Sequence, residues 1–278
     1  TCFKGFSKAT GDPYNDFEYQ HPLNSKCHYT STMNGTSSAT PVVTGVIALM
    51  LEANPNLTQR DIKHILANTS ERIDPDHDDN YFGKVHPSEI LGGCSSLSLD
   101  NYEYEQGWVQ NRAGYWYNNF YGFGLIDAKA AVNAASSYVS SLGTLQELNG
   151  DFDSSSFRSS PGSSIPDHNK DGVTDTINVT NNLTVESVQI KVNISHNSPG
   201  EIGVELLGPE TASNRTKSIL LNINNSLLLG DDKNLNIVLA SHAFYGENAV
   251  GDWTIRVIDG KSGTTGTLNS WSINIVGH

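Results

Sequence analysis

Eight residues, Asn34-Gly35-Thr36-Ser37-Ser38-Ala39-Thr40-Pro41, stand directly before the apolar run Val42, Val43, Val46, Ile47, Ala48, Leu49, Met50 and Leu51. This junction constrains the chain more than any other stretch. It predicts an extended segment, Tyr29 to Met33, turning sharply into a buried helix that runs from Ser37 to about Ala53. Gly35 has no Cβ and lets another chain pass close. Pro41 is expected within the first helical turn, where a missing N–H costs little. Ser37 then sits where unpaired backbone N–H groups and the positive end of the helix dipole meet. Its own N–H is aimed where an oxyanion would form. An ordinary Ser/Thr-rich helix cap is the plainer reading of a Gly-Thr-Ser triplet alone.

Gly35-Thr36-Ser37-x-Ala39-x-Pro41 resembles the nucleophile motif of the subtilisin-like serine proteases. The resemblance implies that Ser37 is the acylated nucleophile and its N–H one of two oxyanion donors. The Thr36 hydroxyl is implied as an outer supporting group. The stretch Glu52 to Asp61 is similar to the segment after the nucleophile helix in kexin-like proteases. Within it Thr58 reads as an N-cap, Asp61 as its acidic partner at N3, and Leu57 with Ile62 as a hydrophobic staple. Ile62, Ile65 and Leu66 form the apolar face of this second helix, which should end near Asn68.

Tyr121-Gly122-Phe123-Gly124-Leu125-Ile126-Asp127-Ala128 predicts a third helix, Ala128 to about Val139, capped by Asp127. A similar pattern recurs at the end of subtilisin-like catalytic domains. A dinucleotide loop is excluded, because the third glycine of G-x-G-x-x-G is missing and Asp127 would repel phosphate.

Beyond Ser136 to Gly143 the periodicity changes from helical to twofold. Val188, Ile190, Val192 and Ile194 alternate with polar residues. So do Ile202, Val204 and Leu206, then Trp253, Ile255 and Val257, then Trp271, Ile273 and Ile275. This pattern predicts an antiparallel β-sandwich or jelly roll. The segments Gly251 to Asp259 and Gly266 to Ile273 look like the closing hairpin of the P domain of proprotein convertases and kexin-like proteases. The expected organisation is an α/β subtilisin-like catalytic domain, represented by its C-terminal portion over residues 1–143, then an all-β P domain over 144–278. A bacterial secreted relative of the kexins is the implied type.

Asp167-x-Asn169-x-Asp171-Gly172-x-x-Asp175 has oxygen ligands at the spacing of an EF-hand-like Ca²⁺ loop, but Asn178 stands where a bidentate Glu is expected. The alternative is an Asx-turn loop, led by Pro166, that enters a strand. Asp74, Asp76, Asp78 and Asp79 lie in an acidic insertion, residues 73–106, read as a solvated loop because no ligand spacing fits. Gly107-Trp108 through Tyr115-Trp116-Tyr117 is an aromatic stretch expected to pack on the domain.

A net charge of −13 argues against nucleic acid, since nothing neutralises phosphates. No run of about 20 apolar residues predicts a membrane span. Low charge, 17%, with many Ser, Thr, Asn and Gly residues suggests a secreted protein. Of Cys2, Cys27 and Cys94, the first two are the better pair, with three buried thiols as the alternative.

Acyl transfer through Ser37 needs a His to accept its proton and an Asp to orient that His. In the family these lie upstream of the nucleophile in the order Asp, His, Ser, as does an oxyanion Asn, and His21 and His28 lie too close to Ser37 to serve. The resemblance therefore implies an N-terminal portion of the same protease as partner. It also implies a peptide or protein substrate, with preference for basic residues, and a propeptide or chaperone. A non-catalytic remnant whose β-sandwich binds a protein or carbohydrate is the alternative function.

Overall fold

The computed structural model describes Pro22, residues 35–75, Leu99, residues 102–104, 106–210, 215–223 and 234–278. Two bodies emerge: a small group of helices and a β-sandwich.

Helix α1 spans Thr36–Ala53. Helix α2 spans Gln59–Thr69 and begins in a full capping box. The Thr58 hydroxyl accepts from the Asp61 N–H at 3.2 Å, and the Asp61 carboxylate accepts from the Thr58 N–H at 2.9 Å. Two otherwise orphaned groups are thereby satisfied at the place the sequence predicts. Helix α3, Ala128–Ser136, is capped by Asp127, whose Oδ1 accepts from Ala130 N–H at 2.9 Å. It stops three residues short of the expected Val139. Alanines on α3 let the helices approach closely, and Val46, Met50, Ile65, Ala131 and Ala135 form one small core.

That core uses little of α1. Only Val46 and Met50 are buried, whereas Val42 is 69% exposed and Leu49 is 51% exposed. By length and composition α1 is long and apolar enough to cross a membrane, although Thr, Gly and Pro interrupt its apolar run. Pro41 is the sixth helical residue, not part of the first turn. Its missing N–H leaves the Ser37 carbonyl without an intrahelical donor.

The sandwich has two antiparallel sheets. In one the order is β10 (Asn234–Ser241), β7 (Val185–His196), β12 (Gly266–Gly277) and β3 (Gln146–Glu147). The short strands β4 (Arg158–Ser159) and β5 (Ser163–Ile165) also pair with β12. In the other the order is β6 (Asn169–Val179), β11 (Gly251–Asp259), β8 (Ile202–Leu207) and β9 (Lys217–Leu221). Alternation along β7 turns Val188, Ile190, Val192 and Ile194 inward, against Ile255, Val257 and Leu206 of the facing sheet. Trp253 and Trp271 fill the centre, and Trp253 meets Phe244 edge-on at 4.9 Å. Such buried aromatics typically contribute about 3–5 kcal/mol each against truncation to Ala.

Strands β11 and β12 are consecutive but do not form the expected hairpin. They belong to opposite sheets, so the turn between them crosses the sandwich. Both segments alternate and both carry an inward Trp, so periodicity could not show that their partners differ. A separate two-stranded ribbon joins β1 (Val109–Gln110) to β2 (Trp116–Tyr117).

Described residues between α2 and α3 reach the sandwich at several points. Tyr102 and Tyr104 pack with Leu99, Ile223 and Ile258. Lys217 pairs with Glu103, and the Asn111 side chain donates to Ala243 O at 2.9 Å and Tyr245 O at 2.8 Å. The aromatic stretch is divided: Tyr115 and Tyr117 pack on the sandwich, whereas the Trp108 indole donates to Ile73 O at 2.9 Å and Arg72 lies over the Trp116 ring.

Candidate active site

Ser37 is the second residue of α1, after Gly35 in a positive-φ conformation (φ 87°). That φ suits glycine and lets the chain enter the helix sharply. Gly35 O accepts from Ser38 N–H at 3.1 Å and from the Ser38 hydroxyl at 2.8 Å. The Thr40 hydroxyl donates to Thr36 O at 2.9 Å. The flanking hydroxyls are thus spent on the helix end. The N–H groups of Thr36 and Ser37 have no intrahelical acceptor by position. Both residues are solvent-exposed. This arrangement can hold a nucleophile and one oxyanion donor.

A proton acceptor for Ser37 is not among the described histidines, each of which is committed elsewhere. His64 pairs with Tyr245, His168 with Gly260 O and His196 with Asp259. His242 lies against Glu186 O, and His278 bonds the Glu186 carboxylate. His21, His28 and all three cysteines fall outside the described residues, as do Asp76, Asp78, Asp79 and the extended segment Tyr29 to Met33.

The four residues with calcium-loop spacing do not converge. Asn169 to Val179 is a single extended strand, and Gly172 (φ 58°) kinks it against Val257. Asp167 accepts from Gly263 N–H at 3.0 Å, while Asn169 Oδ1 accepts from Asp171 N–H at 2.8 Å in an Asx turn. Asp171 lies in solvent beside Lys170. Asp175 turns inward and accepts from the Trp271 indole at 2.7 Å. The strand separates the groups that a calcium loop would gather.

Among the described residues His196, Glu201 and Asp259 come close enough to share a cation. Their hydrogen bonds oppose it. Ser198 N–H donates to His196 Nδ1 at 3.0 Å, which puts the imidazole proton on Nε2, and Nε2 then donates to Asp259 at 3.1 Å. The nitrogen that would face a metal is already protonated. Lys261 N–H and the Thr264 hydroxyl occupy oxygens of Asp259 and Glu201. The group is a closed polar link between β7 and β11.

In comparison with known proteins, residues 10–92 match the subtilase family, and residues 185–275 match the proprotein convertase P-domain. The chain is thus similar to subtilases in one part and to proprotein convertases in the other. It is 30% identical to the Aeromonas extracellular serine protease of Aeromonas sobria, covering 100% of this chain and 47% of that protein. It is 32% identical to the microbial serine proteinase of Aeromonas salmonicida, covering 93% and 41%. The crystal structure of the serine protease of Aeromonas sobria superposes with a TM-score of 0.72 at 30% identity, covering 95% of this chain and 48% of that one. The chain thus spans about half the length of these curated relatives.

The subtilase part and the P domain meet at Glu186. This side chain, at the start of β7, is buried and takes both Nε and Nη2 of Arg60 from α2. His278 adds a third donor at 2.8 Å, and Arg60 also donates to Gly143 O at 2.8 Å. Burial pushes the Glu186 carboxyl up, but hydrogen bonds from Arg60 and His278 outweigh it and hold the group below the usual carboxylate range. A second anchor is Glu247, which accepts from Arg112 N–H at 2.9 Å and from the Thr216 hydroxyl. No motif announces Arg60 or Glu186. Each is an ordinary charged residue until the fold brings them together across 126 positions.

Proposed function

We propose that this chain carries the nucleophile-bearing part of a secreted serine endopeptidase. The observation that carries it is the solvent-exposed Ser37, whose N–H has no intrahelical acceptor, at the start of a helix with Val42 and Leu49 exposed. The Ser37 Oγ attacks the scissile carbonyl carbon and passes its proton to an imidazole. The tetrahedral oxygen accepts a hydrogen bond from the Ser37 N–H, the amine leaves with the proton returned by the imidazolium, and water activated by the same imidazole hydrolyses the Ser37 ester.

The triad Asp and His and the oxyanion Asn belong, on this reading, to an N-terminal portion of the same protease. The commitments of the described histidines and the greater length of the relatives support this. So does α1, whose exposed valines and leucines suit burial against a protein sheet better than lipid, since Thr, Gly and Pro interrupt them. Cleavage after basic residues and dependence on a chaperone are further parts of the proposal. The Aeromonas sobria serine protease has been crystallised in complex with a chaperone; that structure matches with a TM-score of 0.71 at 28% identity. The name of the Aeromonas sobria relative supports an extracellular location.

The test is labelling by a fluorophosphonate in a protein containing the complete catalytic domain, followed by peptide mapping. Label on Ser37, lost with peptide hydrolysis in Ser37→Ala, is the expected result. An active enzyme with Ser37 unlabelled would end the proposal.

A further inference from the structure

The contact between α2 and the P domain gathers several charged and titratable groups. From α2 come Arg60, Asp61, Lys63 and His64; from β7, Glu186; from the loop after β10, His242 and Tyr245. Tyr138 lies 6.1 Å from the His64 ring, and Tyr115 meets Tyr245 edge-on at 5.0 Å. His278 closes the group from the last residue of the chain.

The hydrogen bonds depend on protonation. The Lys63 ammonium donates to Glu186 O at 2.7 Å and lies 3.2 Å from His242 Nδ1. Neutral His242 can present a lone pair to that ammonium. A proton on Nδ1 would face the ammonium and compete with it for Glu186 O, which lies 3.2 Å away. His64 Nδ1 lies 3.0 Å from the hydroxyl of the buried Tyr245, to which neutral His64 can offer a lone pair. Two fixed cations, Arg60 and Lys63, face two carboxylates, Asp61 and Glu186. Each protonated imidazole unbalances that set toward positive charge.

We propose that Lys63, His64 and His242 form an acid-sensitive latch between the subtilase part and the P domain, closed at neutral pH and loosened by mild acid. His242 keeps part of its surface in solvent, so protons reach it directly. Partial desolvation of its ring and the Lys63 ammonium hold the imidazole below the ordinary value. Burial, with His278 adding, does the same for His64. Groups whose folded-state values are depressed stabilise the contact above their unfolded value, about 6.5, and that contribution falls as the pH drops through and below it. His278 works against the latch, because its proton strengthens the bond to Glu186. The proposal stands whether or not Ser37 is acylated.

Hydrogen exchange on the full chain, corrected for intrinsic rates, tests it. Between about pH 7.5 and about pH 5.5, protection of the α2 amides should fall roughly tenfold further than protection of β7 and β12. His64→Gln with His242→Gln keeps acceptors for Tyr245 and Lys63 but cannot take protons, and should abolish that difference. Lys63→Met, which removes the opposing charge, should shrink it independently. Equal protection at both pH values in the parent chain, or an acid loss unchanged in both variants, overturns the latch.

Discussion

Trp271 Nε1 donates to Asp175 Oδ2 at 2.7 Å, joining β12 of one sheet to β6 of the other through the sandwich. Trp271 is buried and Asp175 half-buried, so little water competes for the bond. Asp175→Ala leaves the indole N–H unpaired and should cost about 2 kcal/mol in urea unfolding. Asp175→Asn, which keeps an acceptor oxygen, should recover at least half of that. Equal losses in both variants would show that the bond is not what Asp175 contributes.

Glu186→Ala leaves Arg60 without its carboxylate inside the domain contact. Breaking such a pair by removing one partner costs several kcal/mol when both ends are buried, and Arg60 is partly solvated, so about 2–3 kcal/mol is expected. The pair also sets an acid limit. Because the folded carboxyl lies below its usual value, its stabilisation is complete above about pH 4.5 and drains away as pH falls through the folded value. Glu186→Gln should lack that low-pH component in unfolding curves while keeping the loss at higher pH.

Gly124 adopts φ 124°, and a Cβ there would lie 2.3 Å from Glu71 O. The same backbone carries the paired bonds Glu71 N–H to Leu125 O, 2.8 Å, and Leu125 N–H to Glu71 O, 2.9 Å, which tie the end of α2 to the approach of α3. Gly124→Ala should destabilise by about 2 kcal/mol or more. The amides of Glu71 and Leu125 should lose exchange protection first. Retained protection at both would show that the backbone relaxes without breaking the bridge.

Leu49 on α1 separates two accounts of that helix. In the 278-residue chain Leu49→Glu should alter stability by less than about 0.5 kcal/mol, because the side chain is 51% exposed. In a protein containing the whole catalytic domain it should cost about 2–3 kcal/mol and reduce soluble yield. No difference between the two backgrounds would mean that nothing covers this face.

Ser37→Ala should lower peptide hydrolysis by about 10⁶-fold, the scale seen when a nucleophile of this type is removed. Far-UV circular dichroism should not change, since no described helix-end hydrogen bond uses the Ser37 hydroxyl. A residual rate within tenfold of the parent would remove Ser37 from the chemistry.

Local chemistry is legible in the chain. The capping box of Thr58 and Asp61, the Asp127 cap and the turn at Gly35 each act over a few residues, and each reads as a pattern. The inward alternation of Val188 to Ile194 is equally local, because a strand shows its buried face by period alone. The segment Asp167 to Asp175 shows the limit. Its spacing suits a calcium loop, yet Asp175 is paired with Ile255 of β11, and the register on β11 shifts between Asn169 and Val173.

Residue order was enough to set the helix start beside Ser37, the helix caps and the β character of the second half, because those depend on neighbours in the chain. Folding in three dimensions settled that β11 and β12 lie in opposite sheets, that Asp175 serves Trp271, and that Glu186 grips Arg60. Those choices are made between groups far apart in sequence, where burial decides which partner each polar atom receives.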